Sequence, residues 1–321
     1  MNYLKTPILI TAWNRPEKVR ILINSLKVLK PENLYFSCDG PRNENINELE
    51  KTNQTRKIIN ENIDWDCNVK KNFNDTNLGC RVNMIKSINW VFESNEMAII
   101  LEDDCIPKPE FFKYCYLLLK KYEKDFEIWN INGTNLQNGN LRGTGSYYFS
   151  KYFHSWGWAT WKNRWLRIDD NLDTYESFKN LHNKKQYFLN KSEEKYWLKI
   201  WDNLKYHEKP DSWAYRWLYT CISNKGLNIT PNINLINNIG FDMEASNTKI
   251  RINKFRKKKN IKIFSKNGLL NHPKTKIINF QGDKYTFDNS FKISLLKKMF
   301  LIISNPNYYI KKIYKLIKSL V

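Results

Sequence analysis

The chain has 321 residues, of which 41% are hydrophobic and 15% aromatic, a composition that can form a substantial core and excludes a disordered chain. Its 53 Lys and Arg residues outnumber 32 Asp and Glu residues, so the formal net charge is +21. That charge favours anionic partners such as phosphates, acidic lipids or nucleic acids, and it does not choose among them.

Cysteine and histidine spacing argues against a metal–thiolate centre. No two of the six cysteines have CxxC spacing, and the histidines follow no zinc-ligand pattern. A disulfide framework is not expected in so large a chain, so the cysteines are interpreted as reduced thiols of a cytoplasmic protein. The N-terminal residues lack the features of a secretory signal, and no apolar run is long enough to span a membrane.

Alternating strands and helices are predicted from residue 7 to residue 122. Helix starts are indicated by Pro16, by the turn that ends at Gly79, and by Pro109. The predicted strands are 7–13, 33–37, 68–73 and 97–101, and the predicted helices are 16–29, 46–62, 80–93 and 109–122. This alternation is typical of an α/β fold with a parallel, doubly wound sheet, in which a ligand binds outside the carboxyl ends of the strands.

Polar clusters follow three of these predicted strands. They are Asn14 and Arg15 after the first, Asp39 after the second, and Glu102, Asp103 and Asp104 after the fourth. The three adjacent acids have two interpretations, because they either stop the strand at an exposed turn or bind a divalent cation. Mg²⁺ and Mn²⁺ take carboxylate and phosphate oxygens, and such a cation would offset the repulsion among the acids. The polar clusters at the neighbouring strand ends favour the metal site.

The pattern changes after about residue 126. An Asn- and Gly-rich loop, a dense aromatic stretch and polar helical sequence are predicted in turn, at 133–145, 147–165 and 173–206. Residues 249–262 are strongly basic, and the last thirty residues are apolar and lysine-rich.

Seven short motifs together resemble one family of enzymes. ILEDDCIPKPEFF, at 100–112, resembles the motif of bacterial relatives of the N-acetylglucosaminyltransferase I group, which are GT-A glycosyltransferases. Similar motifs occur in order along the chain: TAWNRP, CDGPR, NLGCR, WGWATW, PDSWAYRW and NLINNIG. The resemblance covers about residues 5–245, with a weaker match at 271–273. The acidic motif alone is weakly specific, whereas the ordered set is strongly so.

This resemblance implies a GT-A fold, in which a mostly parallel twisted sheet is flanked by helices. It implies a metal-dependent glycosyltransferase that moves a sugar from a nucleotide-diphosphate donor, such as a UDP-sugar, to a glycan or lipid-linked acceptor. Inversion at the anomeric carbon and a role in bacterial surface polysaccharide synthesis are expected. The chain would then consist of a nucleotide-sugar-binding half at 1–125, an acceptor half at 126–248 and a basic extension at 249–321.

The resemblance also implies roles for individual residues. Asp104 would hold Mn²⁺ or Mg²⁺, and Asp103 would contact the ribose side of the donor. The other donor-binding positions among the charged residues are Arg15, Asp39, Arg81 and Glu102, where Asp39 would bind the base and the arginines the base or diphosphate. Many GT-A enzymes have a late His ligand that the aligned stretch 242–248 lacks, so the metal would rest on Asp104, diphosphate and water.

Asp211, in PDSWAYRW, is the candidate general base that removes the acceptor hydroxyl proton. Related eukaryotic enzymes carry a catalytic Asp in a similar element, although Ala214 stands where some relatives have Asp. His207 and Glu208 are close enough in sequence to compete for this role. Asp211 could also be the N-cap of a helix at 213–223.

Trp156, Gly157 and Trp158 of the WGWATW motif are interpreted as a wall beside the donor sugar, because aromatic rings cover the apolar faces of sugars. Glycine would permit a close backbone approach. Core packing is the alternative for the whole motif, and it is preferred for Trp161 and Trp165.

Two rival functions use the same sequence features. A nucleic-acid binder would use the basic residues at 251–262 and the aromatic residues, but no known nucleic-acid-binding signature appears. Without a metal, the strand-end acids would also oppose a phosphate, so no nucleic-acid partner is expected. A metal-dependent nucleotidyltransferase would also use paired acids, but it would lack the WGWATW and NLINNIG motifs.

The tail has helical periodicity in its apolar residues. The predicted apolar face consists of Ile310, Ile313, Tyr314, Ile317, Leu320 and Val321, and lysines lie on the opposite side. Such a helix either packs on the domain or lies in a membrane interface with its lysines toward acidic headgroups. The second interpretation predicts peripheral binding at the inner face of the cytoplasmic membrane.

Overall fold

A computed structural model describes residues 2–42, 45–240 and 262–292. Nearly all of the basic stretch at 249–262, the stretch at 242–248 and the predicted amphipathic tail helix lie outside these residues. Within the described ranges, no helix is long and apolar enough to cross a membrane.

The first part of the chain alternates strands and helices as predicted, and every boundary agrees within two residues. The strands are β1 (Ile8–Ala12), β2 (Asn33–Cys38), β3 (Asn68–Phe73), β4 (Met97–Glu102) and the unpredicted β5 (Cys105–Pro107). The helices are α1 (Pro16–Lys27), α2 (Ile46–Glu61), α3 (Cys80–Glu93) and α4 (Pro109–Lys121). Pro16 and Pro109 occupy first-turn positions, and the Asn45 side chain caps α2 by accepting the Glu48 N–H.

The second part has shorter strands and more irregular connections. Its strands are β6 (Ile128–Asn132), β7 (Tyr147–Ser150), β8 (Trp158–Trp161), β9 (Leu227–Pro231) and β10 (Ile236–Asn238). Its helices are α5 (Lys162–Trp165), α6 (Tyr175–Lys179), α7 (Lys191–His207), α8 (Trp213–Ser223) and α9 (Phe280–Thr286). The predicted loop at 133–145 contains no strand or helix, whereas the predicted helical stretch at 173–206 is broken between α6 and α7.

One eight-stranded sheet, in the order β3-β2-β1-β4-β8-β6-β9-β7, runs through the described residues. Its first four strands are parallel, as predicted, and α helices connect them. The other strands form a mixed arrangement, because β8 pairs antiparallel with both β4 and β6, while β6 and β9 are parallel. A separate two-stranded antiparallel pair joins β5 to β10.

Buried side chains form a core on each face of the sheet. One core contains apolar residues of α1, α2 and α4 packed against alternate positions of β1 and β4. The other contains an aromatic cluster in which α3, α7 and α8 cover the opposite face, with Trp129, Trp158, Trp165, Trp197, Trp201, Trp213 and Trp217 among its members. The two cores fix the strands, and the ends of β1 and β4 are thereby held side by side.

Candidate active site

The ends of β1 and β4 bring the predicted arginine and the predicted acids together. Thr11 of β1 is paired with Glu102 of β4, so the residues that follow both strands leave the sheet at the same edge. Arg15 places its Nη1 atom 3.2 Å from Asp103 Oδ1 and 3.2 Å from Asp104 Oδ2. All three side chains are largely buried, so this is a charged cluster within the carboxyl edge of the sheet.

Burial and neighbouring charges shift the pKa values of Glu102, Asp103 and Arg15. Burial raises the pKa of Glu102, and the negative charges of Asp104 and Asp103 raise it further. Burial also raises the pKa of Asp103, although the neighbouring Arg15 opposes this shift. The pKa of Arg15 is itself raised, because attraction to the acids outweighs the effect of its burial. Arg15 contacts Asp103 and Asp104, and the charge of Lys18 also acts on Asp103, so two cations lie near three carboxyl groups.

The β5–β10 pair shapes the acidic turn from the other side. Asn238 Nδ2 donates to Asp104 Oδ1 at 3.2 Å, and the Ile239 amide donates to the Asp104 carbonyl at 2.9 Å. A Cβ atom at Gly240 would lie 2.2 Å from Asp104 Oδ2, so a glycine is needed there for the carboxylate to keep its position. The sequence analysis matched the NLINNIG motif but assigned no role to Asn238 or Gly240. The sequence signal for these two residues was the Asn-Asn-Ile-Gly run after an apolar segment.

The donor atoms at this edge suit a hard divalent cation. Carboxylate oxygens are the ligands that Mg²⁺ and Mn²⁺ prefer, and Mg²⁺ commonly uses one or two carboxylates together with substrate phosphates and water. In the described part of the chain, no three His, Cys, Asp or Glu side chains converge as a ready set of metal ligands. Asp104 and Asp103 offer carboxylate oxygens of the kind that such a cation takes, and the Asp104 oxygens are contacted by Arg15 and Asn238.

Asp39 has a structural environment that sequence analysis did not anticipate. Only 4% of the residue is exposed, and its Oδ1 atom accepts hydrogen bonds from the amides of Gly40 and Leu78, both at 2.9 Å. Asn77 Nδ2 donates to its Oδ2 atom at 3.0 Å, and Asn74 Nδ2 lies 3.3 Å from Oδ1. This carboxylate joins the end of β2 to the turn before α3, and a nucleobase would have to compete with these donors.

The structure brings Arg81 and Asp211 together. Arg81 lies in the first turn of α3 and donates from Nε to Asp211 Oδ1 at 2.9 Å and from Nη1 to Asp170 Oδ2 at 2.9 Å. The Asp211 side chain is 55% exposed, so it remains accessible to a second substrate. Ser212 caps α8, which shows that the N-cap interpretation of Asp211 was wrong. His207 and Glu208 lie nearby at the exposed end of α7.

Cys80 is the first residue of α3 and is exposed to solvent, although protein surrounds much of its thiol. This desolvation raises the pKa of the thiol to about 12, and the charges of Glu102, Asp211 and Asp39 contribute in the same direction. Sequence analysis treated the cysteines only as ordinary thiols.

The WGWATW prediction is corrected for Trp158. Its side chain is completely buried and stacks on Trp213, with ring centroids 5.8 Å apart. It cannot form a wall of an open site, because β8 directs it into the aromatic core. Gly157 adopts a φ of +64°, and a Cβ there would lie 2.4 Å from Ile236 Cδ1. The absence of a side chain at Gly157 therefore leaves room for the Ile236 side chain of β10. Trp156 is half-buried, so of the two predicted wall tryptophans it is the one with exposed surface.

Trp161 and Trp165 are buried, which confirms the preferred core interpretation for both residues. Their positions in β8 and α5 place them among the side chains that hold the second part of the sheet.

A cavity of about 520 Å³ adjoins the acidic cluster. It lies between the turn after β1 and the first turns of α2, and we refer to it as the Trp13 cavity. Its lining includes Trp13, Asn14, Arg15, Arg42, Asn47 and Lys51. Sequence analysis did not identify this cavity, because Trp13 and α2 are separated by more than thirty residues.

No protein-family model matches this sequence, and no curated protein matches it. Among solved structures, the chain is similar to 4-diphosphocytidyl-2C-methyl-D-erythritol synthase from Anaerococcus prevotii, with a TM-score of 0.32 and 9% sequence identity. The alignment covers 56% of this chain and 79% of that protein. A likeness this distant does not bear on the activity of this chain.

Proposed function

We propose that this protein is a metal-dependent glycosyltransferase that uses a nucleotide-diphosphate sugar as its donor. The observation that carries the proposal is the cluster of Glu102, Asp103 and Asp104 at the end of β4, where Arg15 contacts two of the acids at 3.2 Å. A metal-bound diphosphate would supply a cation for these carboxylates, together with oxygen ligands that complete its shell. The motif resemblance points to the same donor class.

Different side chains would bind the metal, bind the donor and accept the proton. Asp104 would hold Mn²⁺ or Mg²⁺, with Asp103 and Glu102 beside it, and Arg15 would approach the diphosphate. Such a cation, when bound, stabilises the negative charge that develops on a departing diphosphate. Arg81 would contact the same donor from the start of α3, and Trp156 would contact the sugar.

Asp211 would act on the acceptor. An acceptor hydroxyl oxygen forms a bond to the anomeric carbon while the bond from that carbon to the diphosphate oxygen breaks. The hydroxyl proton passes to Asp211, and the nucleoside diphosphate leaves with the bonding electron pair. Attack on the face opposite the leaving group inverts the anomeric configuration. The acceptor would be a glycan or a lipid-linked molecule in bacterial surface polysaccharide synthesis. The basic tail would bind an anionic membrane.

The test is release of nucleoside diphosphate from a panel of nucleotide sugars, by transfer of the sugar to an added glycan or lipid-linked acceptor or to water, with Mn²⁺, with Mg²⁺ and with EDTA. One donor should be consumed in the presence of metal, and EDTA should abolish its consumption. Asp104→Asn should abolish turnover while far-UV circular dichroism remains that of the wild type. Undiminished turnover in EDTA or in Asp104→Asn would refute the metal role, and consumption of no donor by the wild type would refute the proposed donor class.

A further inference from the structure

Arg81 is held between two carboxylates that belong to different parts of the chain. Its Nε atom donates to Asp211 Oδ1 and its Nη1 atom donates to Asp170 Oδ2, each at 2.9 Å. Asp170 lies in the connection between α5 and α6, whereas Asp211 precedes α8. Because a guanidinium is planar and its N–H directions are fixed, contacts through two of its nitrogens determine its orientation.

Asp170 is itself held in place by a buried arginine of α8. Arg216, whose side chain is 3% exposed, has its Nε atom 3.8 Å from Asp170 Oδ1, and its Nη1 atom donates to the Asp170 carbonyl oxygen. The preceding residue, Asp169, donates from its amide to Thr220 Oγ1 of α8 at 3.0 Å. Asp170 therefore has a fixed position relative to α8, the helix that Asp211 precedes.

The charges of these side chains alternate in the order Arg216, Asp170, Arg81 and Asp211. Burial disfavours the positive charge of Arg81, but attraction to Asp170 and Asp211 outweighs this effect and raises the pKa of Arg81. An ion pair near the surface fixes its members weakly on its own, since solvent screens it and two long side chains lose entropy. The link through Asp170 to the buried Arg216 supplies an anchor that the pair of Arg81 and Asp211 would otherwise lack.

We propose that Asp170 is a positioning residue for the general base: it orients Arg81, and Arg81 holds the Asp211 carboxylate where it accepts the proton of the acceptor hydroxyl. This assignment rests on the proposed function, in which Asp211 is the base, and it gives Arg81 a role beside its proposed contact with the donor. Asp170 acts only through Arg81. A displacement of about 1 Å at a reacting group lowers a rate by about 100-fold, so the effect of Asp170 on turnover is measurable.

The experiment measures kcat and donor affinity separately in Asp170→Asn, which keeps the shape of the side chain and removes its charge. The kcat for sugar transfer should fall by about 10–100-fold, as expected for a misplaced base. The affinity for the donor, titrated by calorimetry with Mn²⁺ and without acceptor, should remain that of the wild type. Asp170→Ser, which removes the same charge with a smaller side chain, should show the same pattern. Far-UV circular dichroism and the melting temperature of each variant report whether it is folded.

Asp173→Asn is the matched control, because Asp173 is an exposed acid of the same connection and lies 3.6 Å from Lys205 Nζ, outside the network. It should leave kcat and donor affinity unchanged. A fall in kcat in Asp173→Asn equal to that in Asp170→Asn would show that any loss of charge in this connection has the effect, and it would overturn the assignment of Asp170.

A second comparison shows whether Asp170 acts through Asp211. In the Asp211→Asn background, Asp170→Asn should cause no further fall in kcat, because residues that act as a unit have non-additive effects. A full additional fall in that background would overturn the positioning role and leave the proposed function standing. Wild-type kcat in Asp170→Asn, or a loss of donor affinity in place of kcat, would do the same. A wild-type protein that consumes no nucleotide sugar would overturn both.

Discussion

The Asp211 side chain is 55% exposed and accepts a hydrogen bond from Arg81 at the start of α3, and we propose it as the general base. Replacing it with Asn removes the proton acceptor but keeps the shape of the side chain. We expect kcat to fall by about 10²–10⁴-fold, the usual contribution of a general base, with donor affinity retained. Steady-state kinetics and donor titration measure the two quantities separately.

The matched control is Glu208→Gln, because Glu208 is exposed nearby. If Glu208→Gln is the inactive variant, or if product NMR shows retention, the assignment of Asp211 as the base of an inverting reaction is wrong.

Trp158 and Trp156 are two residues apart in sequence but differ in burial. Trp158→Ala should lower the free energy of unfolding by about 3–5 kcal/mol, because it leaves a cavity in the aromatic cluster. Trp156→Ala should cost less stability, since part of its ring is exposed, and should instead weaken donor binding. Urea denaturation of both variants provides the comparison. Wild-type stability in Trp158→Ala would contradict its placement in the core.

At the scale of elements, the β5–β10 pair places Gly240 against the acidic turn that follows β4. A methyl group at this position would approach Asp104 Oδ2 to 2.2 Å, so Gly240→Ala must displace the carboxylate. Binding of Mn²⁺ with a nucleoside diphosphate should weaken by roughly 10–100-fold, as is typical when a support of a metal ligand is altered. Gly143→Ala is the control for a general loss of stability, because its φ of +66° strains an alanine although a Cβ there meets no atom within 4 Å. Equal affinities in both glycine variants, measured by calorimetry, would show that Gly240 does not position Asp104.

Helix α9 is attached to the sheet through Asp283, which is fully buried. Its carboxylate accepts a hydrogen bond from Ser150 Oγ at 2.5 Å and from the Lys151 amide at 3.1 Å. Burial raises the pKa of this carboxyl to about 7, although Ser150 and Lys151 oppose the shift. The unfolded chain releases the same proton near pH 4, so between about pH 4 and 7 the folded state binds more protons. This group therefore makes the protein less stable as pH rises through that window.

Asp283→Asn should remove this contribution. The free energy of unfolding of the variant should fall less steeply than that of the wild type from pH 4 to 7, when both are measured by urea denaturation. Asp288→Asn, which alters a partly exposed carboxylate on the same segment, should follow the wild-type curve. Parallel curves for wild type and Asp283→Asn would show that Asp283 does not titrate with the raised pKa.

Prediction from sequence succeeded for elements whose signals are local. Pro16, Pro109 and the turn at Gly79 mark helix starts within a few residues of chain, and apolar spacing gives the lengths of the helices that follow. The parallel half of the sheet follows from their alternation with strands. The antiparallel position of β8 could not be predicted, because it depends on which strands meet across a large separation in sequence. Residues 156 and 158 are both tryptophans of the WGWATW motif, and only the packing of β8 against α8 shows that Trp158 is buried while Trp156 is half-buried.

At the scale of the whole molecule, strands from both parts of the chain build one sheet, and the candidate site lies where they meet. The acids follow β4, β10 contacts them from the second part, and Asp211 precedes α8. Sequence analysis placed Arg15 and the acids at neighbouring strand ends, and the structure brings them to 3.2 Å. It missed the internal hydrogen bonds of Asp39, the cavity beside Trp13 and the contact between Arg81 and Asp211, since each joins residues that are distant in sequence.

The most direct test of the central claim, that the strand-end acids bind a metal-bound nucleotide-diphosphate sugar, is a thermal-shift screen. Nucleotide sugars would be added to the wild type and to Asp104→Asn, each with Mn²⁺ or with EDTA. Because a ligand that binds the folded state stabilises it by mass action, one donor should raise the melting temperature of the wild type in the presence of Mn²⁺. That shift should disappear in EDTA and in Asp104→Asn. An equal shift in all four conditions, or no shift with any nucleotide sugar, would contradict the account.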